Sequence, residues 1–102
     1  MIIISTKAAQ KAETITPDQQ QLVKPWLLFC RDRHVRRASV YVDYDNGINP
    51  SRWTYKERAR KFTVKNAQTL EILTSSTTLE GALKLARPIS ERREAYANQL
   101  KG

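Results

Sequence analysis

Lys61-Phe62-Thr63-Val64-Lys65-Asn66-Ala67-Gln68-Thr69-Leu70-Glu71-Ile72-Leu73-Thr74 is the stretch on which the fold turns. Side chains alternate in character on either side of the short polar link Asn66-Ala67-Gln68, and a period of two sends successive side chains to opposite faces of a strand. Two such runs so closely joined predict a β-hairpin, with strands over 60–65 and 69–74. Downstream the period lengthens. Thr77-Thr78-Leu79-Glu80 has the spacing of a capping box, and Ala82, Leu83, Leu85 and Ala86 recur at helical intervals, so a helix is expected from Thr78. Pro88 lacks the amide that a helix interior needs and is expected to stop it. Ser90 then caps a last helix, Glu91 to Lys101, expected to dock by one edge carrying Ala95, Tyr96 and Leu100.

Upstream of the hairpin, Val40, Val42 and Tyr44 alternate with Tyr41, Asp43 and Asp45, which predicts a strand over 38–45 with one buried face. Asp45-Asn46-Gly47 supplies turn chemistry after it. The next segment reads two ways. Asn49-Pro50 opens a short helix or irregular loop through Arg60, the preferred reading, whereas Trp53, Thr54 and Tyr55 favour a strand. Nearer the start, Thr16-Pro17-Asp18-Gln19 combines a capping hydroxyl, a proline at the first helical position and a glutamine three residues on. Leu22, Val23, Trp26, Leu27 and Cys30 continue at helical spacing, widened by Leu28 and Phe29, with Pro25 expected to kink the helix. Residues 5–16 offer no sustained apolar face. Residues 1–15 are therefore read as a flexible N-terminal arm, with Ile2 to Ile4 part of it or a short edge strand.

The expectation is one small α+β domain over 16–102: an N-terminal kinked helix, an antiparallel sheet of about three strands, and one or two C-terminal helices. A chain of 102 residues has room for one such domain, and 40% hydrophobic against 27% charged residues is a globular composition. Met1-Ile2-Ile3-Ile4 is too short for a secretory signal, and no run approaches the roughly 20 apolar residues of a transmembrane helix. A lone Cys30 excludes an intramolecular disulfide and, with the single His34, a four-ligand Cys/His zinc site. An intracellular, cytoplasmic protein without a cofactor is expected.

Charge is the strongest functional signal. Between Lys24 and Lys65 eleven basic residues face four acids, so this segment carries +7 of the total +8. Such a field selects a polyanionic partner and says little about a reaction. Two clusters make it up, Arg31, Arg33, Arg36 and Arg37, then Arg52, Lys56, Arg58, Arg60 and Lys61, with Trp53 and Tyr55 as the aromatics expected to be exposed beside them. Forked guanidinium groups suit phosphate oxygens, and aromatic faces stack on unpaired bases. The expected function is a non-enzymatic nucleic-acid-binding accessory or regulatory protein, with DNA slightly preferred over RNA. About five neutralised phosphates would give a log–log salt slope near −4.5 on duplex DNA. An exposed Tyr41 on the sheet would favour single strands or RNA, and a basic helix at Arg52 to Lys61 a duplex. The alternative is a small adaptor or inhibitor that docks an acidic protein surface.

Val40-Tyr41-Val42-Asp43-Tyr44-Asp45-Asn46 ends a strand in two carboxylates that point the same way and would suit a magnesium ion. These seven residues resemble the opening strand of NYN/PIN-type nucleases, which implies metal-dependent cleavage at Asp43 and Asp45. In that family the strand opens a domain of well over 100 residues, whereas here 57 residues follow Asp45. An exposed strand edge is the simpler reading. Cys30 and His34, four apart, would share a helix face, and Arg36-Arg37-Ala38-Ser39 has the form of a basophilic kinase site. Both readings are weaker than a buried Cys and a strand Ser. Three glycines form no phosphate-binding loop, so no nucleotide hydrolase is expected.

Overall fold

The computed structural model describes residues 1–24, 33–45 and 62–101. The elements in chain order are β1 (Ile2–Ile4), α1 (Thr6–Lys11), α2 (Pro17–Gln21), α3 (Arg33–Ala38), β2 (Val40–Tyr44), β3 (Phe62–Asn66), β4 (Ile72–Ser76) and α4 (Leu79–Lys101). The architecture is α+β: a four-stranded mixed sheet, order β1-β2-β3-β4, with a long C-terminal helix across it. β2, β3 and β4 form the expected antiparallel meander, and β1 adds to it in parallel, with Ile2, Ile3 and Ile4 opposite Val40, Tyr41 and Val42.

That added strand revises the reading of residues 1–15 as an arm. Three isoleucines are too few to show a period, yet Ile3 and Ile4 are among the most deeply buried side chains, and β1 is bonded along both edges. Val40 N–H donates to Met1 O and Ser5 N–H to Val42 O on one side, while Ile4 N–H donates to Leu22 O and Lys24 N–H to Ile4 O on the other. Ser5 then caps α1, its hydroxyl accepting from Ala8 N–H, and Ala8 packs into the core. The kinked helix is revised for a related reason. The capping box of Thr16 and Gln19 forms on both arms, but α2 ends at Gln21 and Val23 bridges to Ile4. Lys24 precedes Pro25, which disfavours helical backbone there, and β1 offers the chain strand pairing instead. Trp26, Leu27 and Cys30 lie outside the described residues.

The hairpin forms with a longer connection than three residues. Asn66 Oδ1 accepts from the amides of Gln68 and Thr69, Leu70 N–H donates to Asn66 O, and Leu70 takes a left-handed φ of 63°. Thr69 to Glu71 therefore belong to the turn. β4 starts at Ile72, with an irregularity in register opposite Val64 and Lys65.

α4 runs unbroken through Pro88 where two helices were expected. Its buried side chains are Leu79, Ala82, Leu83, Ala86, Ser90 and Ala97, and these steps of three, one, three, four and seven keep one phase past the proline. Pro88 itself is exposed, so its missing amide falls on the solvent side while packing holds the helix together. The cap is also shifted: Thr78 Oγ1 accepts from Gly81 N–H, which takes the place expected for Thr77 and Glu80.

Both faces of β2 are covered. Val40, Val42 and Tyr44 join Phe62, Val64, Ile4 and Ala8 beneath Leu79, Ala82, Leu83 and Ala86 of α4. Tyr44 meets Phe62 edge to face at 5.1 Å between centroids. On the opposite face Ile3, Tyr41 and Ala67 pack with Val35 of α3. The alternation in β2 thus separates two buried environments rather than an inside from an outside. Among the described residues no helix is long and apolar enough to cross a membrane.

Candidate nucleic-acid interface

α3 carries the part of the first basic cluster that the structure describes. Arg33 opens this helix, and Arg36 and Arg37 occupy its last turn, where cations complement the exposed carbonyls of a helix end. Arg31, Arg52, Trp53, Tyr55, Lys56, Arg58, Arg60 and Lys61 lie outside the described residues, as does the meeting of the two basic clusters on one face and the pairing of Cys30 with His34.

α3 packs against α4, and this contact brings in arginines distant in sequence. Arg93 Nε donates to Arg37 O at 2.9 Å, across 56 positions of chain, and Arg93 Nη2 donates to Asn66 Oδ1 at 3.1 Å. The same Asn66 oxygen builds the hairpin turn, so one carboxamide ties the turn to Arg93. Arg36 Nη2 donates to Gln68 O at 3.3 Å, while its buried Nε has no hydrogen-bond partner. Arg36 and Arg93 are therefore braces between α3, α4 and the turn. Partial burial lowers the pKa of Arg93 from its ordinary value, and two fixed acceptors compensate the half-buried guanidinium.

Arg37, Arg92, Arg93 and Tyr96 line an open recess of about 310 Å³. Arg92 and Tyr96 are four apart on α4 and lie on one helix face. Tyr96 was expected to dock inward, but Ala97 does so, and Tyr96 is 54% exposed, a large aromatic left beside three guanidinium groups. Glu94, next along the helix, is ion-paired with the Met1 amino group. Sequence reasoning placed Arg36 and Arg37 here and missed Arg92, Arg93 and Tyr96. The i, i+4 spacing of Arg92 and Tyr96 was a readable signal, obscured by dividing the helix at Pro88.

No family model, curated protein or solved structure matches this chain.

Three other readings take definite form in the structure. Tyr41 is buried against Ile3 and Ala67, so the sheet does not offer it as a stacking platform. Ser39 is fully buried and donates from Oγ to Val35 O at 2.6 Å, which closes it to a kinase. Asp43 and Asp45 do converge as their spacing implied, but on a lysine. Lys65 Nζ lies 3.0 Å from Asp43 Oδ2 and 3.0 Å from Asp45 Oδ2, with side chains 12%, 21% and 29% exposed respectively. Ser5 Oγ donates to Asp43 Oδ1 at 2.8 Å, as does Tyr44 N–H at 2.8 Å, and Thr63 Oγ1 donates to Asp45 Oδ2 at 2.6 Å.

The register explains the cluster. Tyr41 lies opposite Lys65 and Asp43 opposite Thr63, so a long lysine side chain reaches Asp43 diagonally across the pair. Burial pushes the Asp43 pKa up, but the bonds from Ser5, Tyr44 and Lys65 outweigh it and hold the carboxyl below its ordinary value. Burial likewise opposes the Lys65 charge, and its bonds to Asp45 and Asp43 raise the pKa above normal. This is an ammonium enclosed by two carboxylates, where the sequence reading set an exposed edge against a magnesium site. Among the described residues no group of three Asp, Glu, His or Cys is placed to hold a metal ion.

Proposed function

We propose that this protein is a non-enzymatic, intracellular nucleic-acid-binding factor of accessory or regulatory type, with DNA preferred to RNA, that takes phosphates on the arginine surface between α3 and α4. The observation that carries the reading is the convergence of Arg37 on Arg92, Arg93 and Tyr96 around one open recess. Arginines from separate parts of the chain meet there, on a protein with a net charge of +8. Guanidinium groups bind phosphate oxygens in forked geometry, and bracing by Asn66 and the Arg37 carbonyl lowers the cost of ordering Arg93. The phosphate contacts fall to Arg37 and Arg92 on this reading, supported by the overall field.

Fluorescence anisotropy with labelled duplex DNA, single-stranded DNA and RNA over a salt series tests this. Affinity is expected to fall steeply with salt, and Arg37→Ala or Arg92→Ala to flatten the duplex slope by about 0.9 each, one phosphate contact apiece. No binding of any of the three at about 50 mM salt, or a flat slope, would overturn the proposal and leave docking to an acidic protein surface as the reading to pursue.

A further inference from the structure

We infer that the recess between α3 and α4 receives one unpaired nucleobase, stacked on Tyr96, with Arg37 and Arg92 on the phosphates that flank it. The inference rests on the nucleic-acid reading and narrows it to single strands.

Four observations converge. The first is size: about 310 Å³ is the low end of the roughly 300–1,000 Å³ usual for small-molecule sites, enough for one flat ring system and far too little for a helix or duplex. The second is the character of the walls. The Tyr96 ring and the aliphatic stems of Arg37, Arg92 and Arg93 make them mostly apolar, with charge carried by the guanidinium heads. A bare phosphate wants a cradle of amides or polar hydrogens, whereas an apolar slot with a cationic rim suits a flat base joined to phosphodiesters on either side.

The third observation is rigidity. Arg93 is held by two hydrogen bonds, to Arg37 O and Asn66 Oδ1, so its side chain is already fixed beside the recess before any ligand arrives. A wall already ordered in this way loses little further entropy when a ligand is seated against it. The fourth is the exposure of Tyr96. It faces solvent on a helix whose neighbouring positions Ala97 and Arg93 do the packing, so its removal leaves the core intact. A base within a duplex keeps its faces stacked on its neighbours and has none to offer Tyr96. A single strand has one at every position.

The test uses the full chain and three labelled probes of about ten nucleotides: oligothymidylate, an abasic single strand of the same length, and a duplex. Tyr96→Ala is expected to weaken oligothymidylate binding about 5- to 150-fold, the usual worth of one stacked base, without changing the salt slope. Abasic-strand and duplex affinities should stay at their wild-type values, and Tyr96→Phe should restore oligothymidylate binding. Arg92→Ala should weaken all three probes and flatten each slope. If Tyr96→Ala leaves oligothymidylate affinity unchanged, or lowers all three affinities alike, the base-in-recess inference is wrong while nucleic-acid binding stands. If the wild-type protein binds none of the probes with a salt slope, both fail together. A circular dichroism melt of Tyr96→Ala at the wild-type temperature shows that the fold is retained.

Discussion

Replacing Lys65 by Met keeps the length and most of the volume of the side chain while deleting its charge, and leaves Asp43 and Asp45 facing one another. Both carboxylate oxygens lie 3.0 Å from Nζ, so they stand no more than twice that distance apart. At an effective dielectric near 20, two unit charges at about 6 Å repel by roughly 2.8 kcal/mol. Breaking a fully buried pair costs about 3–5 kcal/mol and an exposed one about 0–1. With side chains 12–29% exposed, the site lies between these limits, and Lys65→Met is expected to cost about 2–3 kcal/mol. At a urea m-value of about 1.5 kcal/mol/M, the midpoint would move down by roughly 1.7 M.

Two features separate this account from simple loss of packing. Lys65→Met removes one of the interactions that depress the Asp43 pKa, so the deficit against wild type is full above the carboxylate range and shrinks as pH falls through it. Combining Lys65→Met with Asp43→Asn and Asp45→Asn should recover most of the lost stability, because no buried charge then remains. A loss below about 1 kcal/mol, a deficit that does not change with pH, or a triple variant no more stable than Lys65→Met would refute the reasoning.

The wild-type cluster predicts a stability plateau with two edges. The contribution of Asp43, whose pKa is depressed, is present above its ordinary value near 3.8 and lost as pH falls through the lower folded value. That of Lys65, whose pKa is raised, is intact below 10.5 and lost as pH rises through the higher folded value. Urea midpoints against pH check both edges, and Asp43→Asn should remove part of the acid one. Ser5→Ala deletes the α1 cap and a hydrogen bond to a carboxylate together, and a loss of about 2 kcal/mol is expected in urea denaturation. Pro88→Ala restores an amide to an exposed helical position and should stabilise by about 1–3 kcal/mol, raising the thermal midpoint. Destabilisation there would mean that the proline ends a helix after all.

The sequence was most readable where a period ran long enough to count. β2 and the hairpin follow from alternating runs of five or more residues and the start of α2 from the four-residue box Thr16 to Gln19, so class and meander were legible. β1 was legible only as one of two alternatives, a short edge strand or part of an arm, because three isoleucines have no measurable period and their partner strand lies 38 positions away. α2 was overextended because Leu22 and Val23 continue a helical pattern in sequence while β1 competes for their backbone. α4 was divided because a local rule about proline was set against a burial stripe that exists only once the sheet is beneath it. At the interface, Arg36 and Arg37 announced themselves by density of charge. Arg92, Arg93 and Tyr96 sit in a nearly neutral segment and become part of a basic surface only through the contact of α3 with α4.

The parallel placement of β1 also shapes how the molecule comes together. The β3–β4 pair closes over a few residues, whereas Ile2 reaches Val40 only after a loop of 38 positions has been closed at an entropic cost. The docking of β1 seats three things at once: Ser5 on Asp43, Ala8 in the core, and the chain around Val23 along its outer edge. Residues 2–5 act as a keystone, joining the sheet, the core and the edge segment at one place.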